Sequence, residues 1–286
     1  MRILAILTTL FFHLTVHAEI QVRDDENTVI TLNEPAKRII SLSPGNTELL
    51  FSAGGGEFVK GVVSFSDYPE AAKSIPQIGN FNSIDLERVL SLKPDLIVAW
   101  KSGNPPLQIS KLKELGLTVF MSEPRSFSDI PETIIKFGKL MNTEKQAKKS
   151  VTKFNNRLNK IKSQYTGNFP KKRVFIQIWD SPIMSINGEH LISRIVERCN
   201  GVNIFSNHPT LTLTPGTETV LKENPDVIIV TRSEDLGNSW LDRWKQWPFI
   251  SAVKNNQLFT AIPDHFVRHT DRIILGMEAV CKQLNK

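Results

Sequence analysis

Asp264 and His265 are neighbours in the chain, and together with Ser43 they supply the residue types of a hydrolytic triad. A nucleophilic Ser is usually presented by a Gly-x-Ser-x-Gly turn, and a hydrolytic zinc by His-Glu-x-x-His. The sequence contains neither motif, and it lacks the Gly-x-x-x-x-Gly-Lys loop that binds phosphates. Catalysis therefore has no support in the motifs, and an exported α/β hydrolytic enzyme is only an unfavoured alternative.

Metal binding is the next chemistry that these residue types could perform. Beyond residue 18 the histidines are His190, His208, His265 and His269. A zinc or manganese site needs three or four converging ligands, and only His265 and His269 are close in sequence, in no recognisable metal motif. We therefore expect no metal site.

A repeated pattern indicates the elements that must position any site. DLERVLSLKPDLIVAW (85–100) aligns without a gap with GTETVLKENPDVIIVT (216–231) when Glu87 is placed on Glu218. Each copy predicts a helical turn, a Pro-Asp turn that ends the helix, and a continuous apolar strand. Such strands are typical of parallel sheets that helices cover on both faces.

Strand and helix candidates alternate around both copies, which predicts βαβ units. The expected strands are 38–42, 117–120, 173–178 and 257–261, and the expected helices are 47–53, 106–115, 190–199 and 270–284. We therefore predict an α/β fold of two Rossmann-like lobes with parallel sheets.

The region between the lobes has helical spacing and predicts one uninterrupted helix from Thr143 to Gln164. Such a helix would join the lobes more stiffly than a Gly/Ser linker. An ordinary helix within one domain would show the same spacing. The predicted organisation is a signal peptide (1–18), an N-terminal lobe (19–127), an interlobe helical segment (128–168) and a C-terminal lobe (169–286).

The first eighteen residues have the pattern of a secretory signal. Arg2 precedes an apolar run from Ile3 to Val16, and Ala18 ends a small-residue cleavage site. The run is shorter than the roughly 20 apolar residues of a spanning helix, and no Cys follows it to carry a lipid. We expect cleavage near Ala18 and a soluble periplasmic protein.

Charge and cysteine content narrow the partners and the compartment. The net charge of +6 is dispersed, apart from a short Lys-Lys-Arg run at 171–173, so nucleic acid is not an expected partner. Cys199 and Cys281 are the only cysteines, and in an exported protein such a pair favours one disulfide. Two buried free thiols are the alternative.

Two lobes create a cleft, which is a preferred small-molecule site, so the pattern favours a solute-binding protein. RIISLSPGNTELLFSAGGGEFVKGVVSFSDYPEAAKSIPQIG (38–79) and NSIDLERVLSLKPDLIVAW (82–100) resemble the periplasmic vitamin B12-binding proteins of ABC importers. The resemblance resumes in KKRVFIQIW, LISRIVERCNGVNIF and FVRHTDRIILGMEAVCKQL. It implies two lobes joined by one long helix, a corrinoid as the transported ligand, and no resident cofactor.

The resemblance also implies which residues bind the ligand. The positions that match the family's cleft are Pro44, Gly45, Phe65, Phe81, Trp100, Trp179 (or Met184), Asp264, His265 and Arg268. Trp100 is the strongest candidate, because the aligned residue of the second copy is Thr231 and the repeat does not demand an aromatic there. A half-buried packing tryptophan is the alternative.

Glu87 and Glu218 match the two glutamates that, in the family, dock into arginine pockets of the permease subunits. The implied partner is an ABC permease dimer with its ATPase subunits, and a symmetric dimer needs an equivalent contact from each lobe. We expect the protein to act as a monomer. The alternative for each Glu is a carboxylate that only stabilises a helix N-terminus.

The sequence departs from the family at four cleft positions. Phe65 stands where a Tyr is usual, Phe81 and His265 stand where Trp is expected, and Thr212 or a neighbour replaces another Trp. These changes remove a hydroxyl and indole surface from the expected pocket. A related corrinoid is therefore compatible with the site, and a haem or ferric-siderophore carrier of the same class is the alternative.

Overall fold

The computed structural model describes residues 19–165, 170–231 and 239–285. The predicted signal peptide and its cleavage site lie outside the described residues. Within these three ranges, no helix combines the length and the apolar character that crossing a membrane requires.

Two four-stranded parallel sheets with the same strand order form the centres of the two lobes. Up to the long helix, the elements are β1 (Ile20–Arg23), β2 (Val29–Leu32), β3 (Ile39–Ser41), α1 (Pro44–Ser52), β4 (Val59–Val62), β5 (Gly79–Asn80), β6 (Ser83–Ile84), α2 (Leu86–Ser91), β7 (Leu96–Trp100), α3 (Pro106–Glu114), β8 (Val119–Ser122) and α4 (Asp129–Met141). The long helix is α5 (Glu144–Tyr165).

The second lobe repeats this strand order. Its elements are β9 (Lys172–Gln177), β10 (Ser185–Ile186), α6 (Leu191–Arg198), β11 (Gly201–Asn203), β12 (Thr212–Leu213), α7 (Thr217–Glu223), β13 (Val227–Thr231), α8 (Ser239–Lys245), α9 (Ser251–Lys254), β14 (Leu258–Ala261) and α10 (Ile273–Leu284). The strand order is β4-β3-β7-β8 in the first central sheet and β11-β9-β13-β14 in the second. Three small antiparallel ribbons, β1–β2, β5–β6 and β10–β12, complete the described sheets. The predicted α/β fold of two lobes with parallel sheets is confirmed.

The repeated sequence forms the same unit in both lobes, α2 with β7 and α7 with β13. The repeated Pro-Asp turn has a structural reason. Asp95 accepts the backbone N–H of Arg38 at 3.0 Å, and Asp226 accepts that of Arg173 at 2.8 Å. In each lobe the turn therefore fastens the start of one central strand to its neighbour.

Alternate residues of the central strands enter different apolar clusters, as the two-residue period of a strand requires. In β7, Leu96 faces a large cluster shared by both lobes, whereas Ile97 faces a cluster confined to the first lobe. In β13, Val227 faces the shared cluster, whereas Ile228 faces a cluster confined to the second lobe. Each sheet is thus covered on both faces.

The shared cluster runs without interruption through the helices between the sheets. Phe154, Leu158 and Ile161 of α5 belong to it, together with apolar residues of α4, α6 and α10. Relative motion of the lobes must therefore disturb a packed core. The domain boundaries after 127 and 168 stay predictions, and the second lies outside the described residues.

One disulfide joins Cys199, at the end of α6, to Cys281 in α10. Both side chains are fully buried. The disulfide predicted from the cysteine content is confirmed, and it links the two helices that cover one face of the second sheet.

Candidate functional site

A cavity of about 430 Å³ lies at the carboxyl ends of the first sheet's strands. One side of the cavity is formed by the segment after β3, by Phe65 beyond β4, by the last residue of β7 and by the segment after β8. The loop before α10 forms the other side. Ligand sites of open α/β sheets lie at this edge. The lining residues are Ser43, Pro44, Gly45, Asn46, Leu49, Phe65, Phe81, Trp100, Ser122, Glu123, Pro124, Asp264, Val267, Arg268 and His269.

Local sequence explains how the first wall is presented. Ser43 caps α1, its hydroxyl accepting the N–H of Asn46 at 3.2 Å, and Pro44 occupies the first helical turn. Both residue types favour these positions at a helix start. Pro44 and Gly45 therefore face the cavity from a rigid helix terminus.

Aromatic side chains supply much of the remaining wall. The rings of Phe81 and Trp100 lie 6.0 Å apart, centroid to centroid, at 52°. Phe65 is 70% exposed and has a left-handed backbone (φ 65°), a conformation that costs energy for an aromatic residue. An exposed aromatic held in a strained loop is available to contact a ligand.

The structure brings most of the predicted ligand-binding residues together. Around this one cavity lie Pro44, Gly45, Phe65, Phe81, Trp100, Asp264 and Arg268. His265 belongs to the same loop but is not among the lining residues. Trp179 is exposed and packs against Trp240, its backbone pairs with Met184, and neither Trp179 nor Met184 lines the cavity. The binding roles of all these residues stay predictions.

Sequence reasoning missed Glu48, which is 1% exposed and lies behind the cavity. Its carboxylate accepts hydrogen bonds from Thr270 Oγ1 at 2.8 Å, Arg272 Nε at 2.9 Å and Arg268 Nη1 at 3.0 Å. Arg272 also lies over the ring of Tyr68 at 3.8 Å. A single charged residue in a helix that is otherwise uncharged, directly before two leucines, was the available signal.

Arg268 directs most of its donors at the protein. Nη1 donates to Glu48 and, at 2.7 Å, to Asp67, whereas Nη2 donates to the carbonyl of Phe65 at 3.1 Å and pairs with Asp264 at 3.2 Å. Burial would raise the pKa of Asp67, but Arg268 outweighs that effect and the pKa is lowered. Arg268 therefore holds the loop that carries Phe65 in position, and this role does not depend on any contact between Arg268 and a ligand.

Two histidines meet beside the cavity. His269 bonds through Nδ1 to the carbonyl oxygen of Pro124 at 2.8 Å, and its ring lies 5.9 Å from that of His190. Burial, together with repulsion from His269 when that ring is protonated, lowers the pKa of His190 from 6.5 to about 4. Burial also lowers the pKa of His269, against the opposing hydrogen bond to Pro124. Both imidazoles are therefore neutral at neutral pH.

Glu87 and Glu218 lie in the first turns of α2 and α7. Each helix leads through a short turn into a parallel strand, so its N-terminus lies at the carboxyl edge of its sheet, which in the first lobe is the cavity edge. Both side chains are exposed, and neither makes an ion pair or side-chain hydrogen bond with any described residue. The repeat therefore places one unpaired carboxylate on each lobe.

Metal ligation has no geometric basis in the described part of the chain. Nowhere in it do three or more His, Cys, Asp or Glu side chains approach closely enough to hold an ion.

Thr212 or a neighbour was expected to replace a tryptophan of the family's cleft. Thr212 lies in β12, and its side chain is exposed and does not line the cavity.

The chain belongs to the periplasmic binding protein family, whose sequence pattern matches residues 39–265. It is 35% identical to the vitamin B12-binding protein of Vibrio cholerae over 251 residues, which is 87% of this chain and 90% of that protein. It is 34% identical to the vitamin B12-binding protein of Photorhabdus laumondii, over 87% of this chain and 88% of the relative. The resemblance seen in the sequence is confirmed.

Solved structures give the same assignment. The crystal structure of the periplasmic vitamin B12-binding protein of Vibrio cholerae superposes with a TM-score of 0.81 at 34% identity, over 88% of this chain and 97% of that one. A possible iron-binding periplasmic solute-binding protein from Staphylococcus epidermidis gives 0.78 at 28% identity, over 88% and 100%. The chain is thus a binding protein and not an enzyme.

Proposed function

We propose that this chain captures cobalamin or a related corrinoid in the interlobe cavity and delivers it to the permease dimer of an ABC importer. The curated relatives bind vitamin B12, and seven residues predicted from that family surround one cavity. Phe65, Phe81 and Trp100 offer apolar surface to the flat face and edge of a corrin. The corrinoid is cargo, and the protein acts as a periplasmic monomer after cleavage near Ala18.

One observation carries the delivery step: the repeat retains in each lobe an exposed glutamate that forms no ion pair and no side-chain hydrogen bond with any described residue. Asp95 and Asp226 fasten strands, and Val89 and Val220 are fully buried, so their repetition follows from folding. Glu87 and Glu218 form no such contact among the described residues, and their folding role there is limited to the favourable charge that each brings to a helix N-terminus. Two equivalent exposed carboxylates fit the paired, charge-assisted contacts that a permease dimer would offer through arginines.

Combined replacement of the two glutamates tests this proposal. The variant Glu87→Ala/Glu218→Ala should lose ligand uptake by proteoliposomes or cells while its affinity for cyanocobalamin stays within about twofold of wild type. The matched control is Glu114→Ala/Glu197→Ala, which also removes one exposed helical glutamate from each lobe. Uptake by the control should be unchanged. If affinity fell together with uptake, the docking role of Glu87 and Glu218 would be wrong.

A further inference from the structure

The side chain of Asn104 forms hydrogen bonds with the backbone of Phe81 and of Trp100, the two aromatic residues that lie side by side in the cavity wall. Asn104 is 4% exposed and does not itself line the cavity. We infer that Asn104 is the positioning residue that sets where Phe81 and Trp100 stand, and thereby determines ligand affinity. This inference deepens the proposed function and rests on the cavity being the ligand site.

Asn104 joins three cavity-forming segments through one carboxamide. Its Oδ1 accepts the backbone N–H of Trp100 at 2.6 Å, while its Nδ2 donates to the carbonyl of Leu42 at 2.9 Å and to that of Phe81 at 3.1 Å. Leu42 leads into Ser43 and Pro44 at the start of α1. The same amide therefore fixes the helix start and both aromatic residues relative to one another.

The chemistry of these three bonds requires an amide. One partner is a donor and two are acceptors, so the central side chain must accept once and donate twice. An aspartate has the same shape but would turn a carboxylate toward two carbonyl oxygens. Losing a buried partner costs more than an average hydrogen bond contributes, because the groups left behind stay desolvated.

The residue before Asn104 fixes the indole itself. A Cβ built on Gly103 would lie 1.9 Å from Cε3 of Trp100, so the ring lies directly against the glycine backbone. Only a residue without a side chain permits this approach. Gly103 and Asn104 together set both the backbone and the ring of Trp100, and neither residue lines the cavity.

The second lobe offers a matched control. Asn203 is 3% exposed, and its Nδ2 donates to the carbonyl of Ile186 at 2.6 Å and to Ser193 Oγ at 2.8 Å, while Oδ1 accepts the N–H of Phe205 at 3.0 Å. Asn203 is thus equally buried and bonded to three groups, yet none of them lines the cavity.

The experiment compares Asn104→Ala and Asn104→Asp with Asn203→Ala, each made with and without Trp100→Phe. The fluorescence emission spectrum of each Trp100→Phe protein is subtracted from that of its counterpart with Trp100, and the difference is the emission of Trp100 alone. Acrylamide quenching of this difference reports the exposure of Trp100 without any ligand. Cyanocobalamin titration gives the affinity. Thermal melting of every variant identifies those that are folded. If Asn104→Ala fails to fold, Asn104→Asp provides the comparison, because it keeps the shape and the acceptor of the amide.

We expect both Asn104 variants to bind cyanocobalamin about tenfold more weakly, with red-shifted and more readily quenched Trp100 emission. Asn203→Ala should lower the melting temperature but leave the Trp100 difference spectrum and the affinity unchanged. Unaltered Trp100 emission in both Asn104 variants, or an equal change in Asn203→Ala, would overturn the inference. Failure of the wild type to bind either cyanocobalamin or cobinamide would refute the proposed ligand class, and the ligand-free emission would still decide the role of Asn104.

Discussion

The carboxylate of Glu48 and the guanidinium of Arg272 form a two-point ion pair between α1 of the first lobe and the start of α10, with Nε 2.9 Å from Oε2. Ser52 and Asp271 make a second contact between the same segments, at 2.9 Å. These bonds lie beside the apolar cluster that both lobes share. The lobes are therefore fastened by polar and apolar contacts together, which favours a small closing motion over a wide hinge.

Glu48→Gln should destabilise the protein by about 3 kcal/mol, because Arg268 and Arg272 would remain largely buried without their common carboxylate. Urea denaturation at pH 7 would measure this loss. The control is Glu223→Gln, which removes the partner of Arg173 in an exposed pair and should cost below about 1 kcal/mol. Equal small losses in the two variants would show that the buried cluster does not fasten the lobes.

Reduction of the disulfide should also destabilise the fold. The bond between Cys199 and Cys281 spans 82 residues of sequence, and in the chain-entropy model a loop of that length contributes about 4.5 kcal/mol. Denaturation with and without dithiothreitol would measure it on the same chain. The variant Cys199→Ala/Cys281→Ala should show no effect of dithiothreitol, and an equal effect on both proteins would assign the loss to something other than this bond.

Acid should weaken the fold through His190. Its pKa falls from 6.5 in the unfolded chain to about 4 in the folded protein, so the unfolded state binds more protons between these values. The free energy of unfolding should therefore decrease as pH falls from 6.5 toward 4, by up to about 1.4 kcal/mol per unit from this residue. The contribution is fully present above pH 6.5.

The variant His190→Asn isolates this effect, since asparagine can still accept the N–H at the start of α6 but does not titrate. Urea denaturation at pH 7, 6 and 5 should show that the free energy of unfolding decreases less steeply with falling pH in the variant than in wild type. Parallel losses in the two proteins would mean that the buried imidazole does not control acid stability.

Trp100→Ala should weaken cyanocobalamin binding about thirtyfold, because a central aromatic contact typically contributes about 2 kcal/mol to binding. Fluorescence or calorimetric titration would measure the change. Phe249→Ala is the control, since Phe249 is an aromatic residue that is 64% exposed and does not line the cavity. Unchanged affinity in Trp100→Ala would exclude Trp100 from the ligand site.

Local patterns were enough to predict three of the four strands of each central sheet, whereas the edge strands β4 and β11 were not predicted. The apolar runs that became β7 and β13, and the Pro-Asp turns before them, act within a few residues, so the repeat was visible in the sequence. The long helix was predicted from Thr143 to Gln164 and runs from Glu144 to Tyr165. Its apolar spacing is a local signal of the same kind.

The contacts that support the cavity could not be predicted in this way. Glu48 meets Arg272 only after both lobes have folded, and His190 meets His269 only after the second lobe has brought together residues far apart in the sequence. Asn104 acts on Leu42 and Phe81 through backbone groups, which leave no pattern in the sequence. The family resemblance identified residues that line the cavity, whereas the residues that position them required the three-dimensional structure.

Calorimetric titration of the mature chain, from Glu19 onward, with cyanocobalamin and with cobinamide tests the central claim most directly. We predict tight one-to-one binding of at least one of the two corrinoids. Binding of cobinamide alone would indicate that the changed aromatics at Phe65 and Phe81 favour the smaller ligand. If the folded protein gave no heat with either corrinoid but bound haem or a ferric siderophore, the proposed corrinoid function would be wrong.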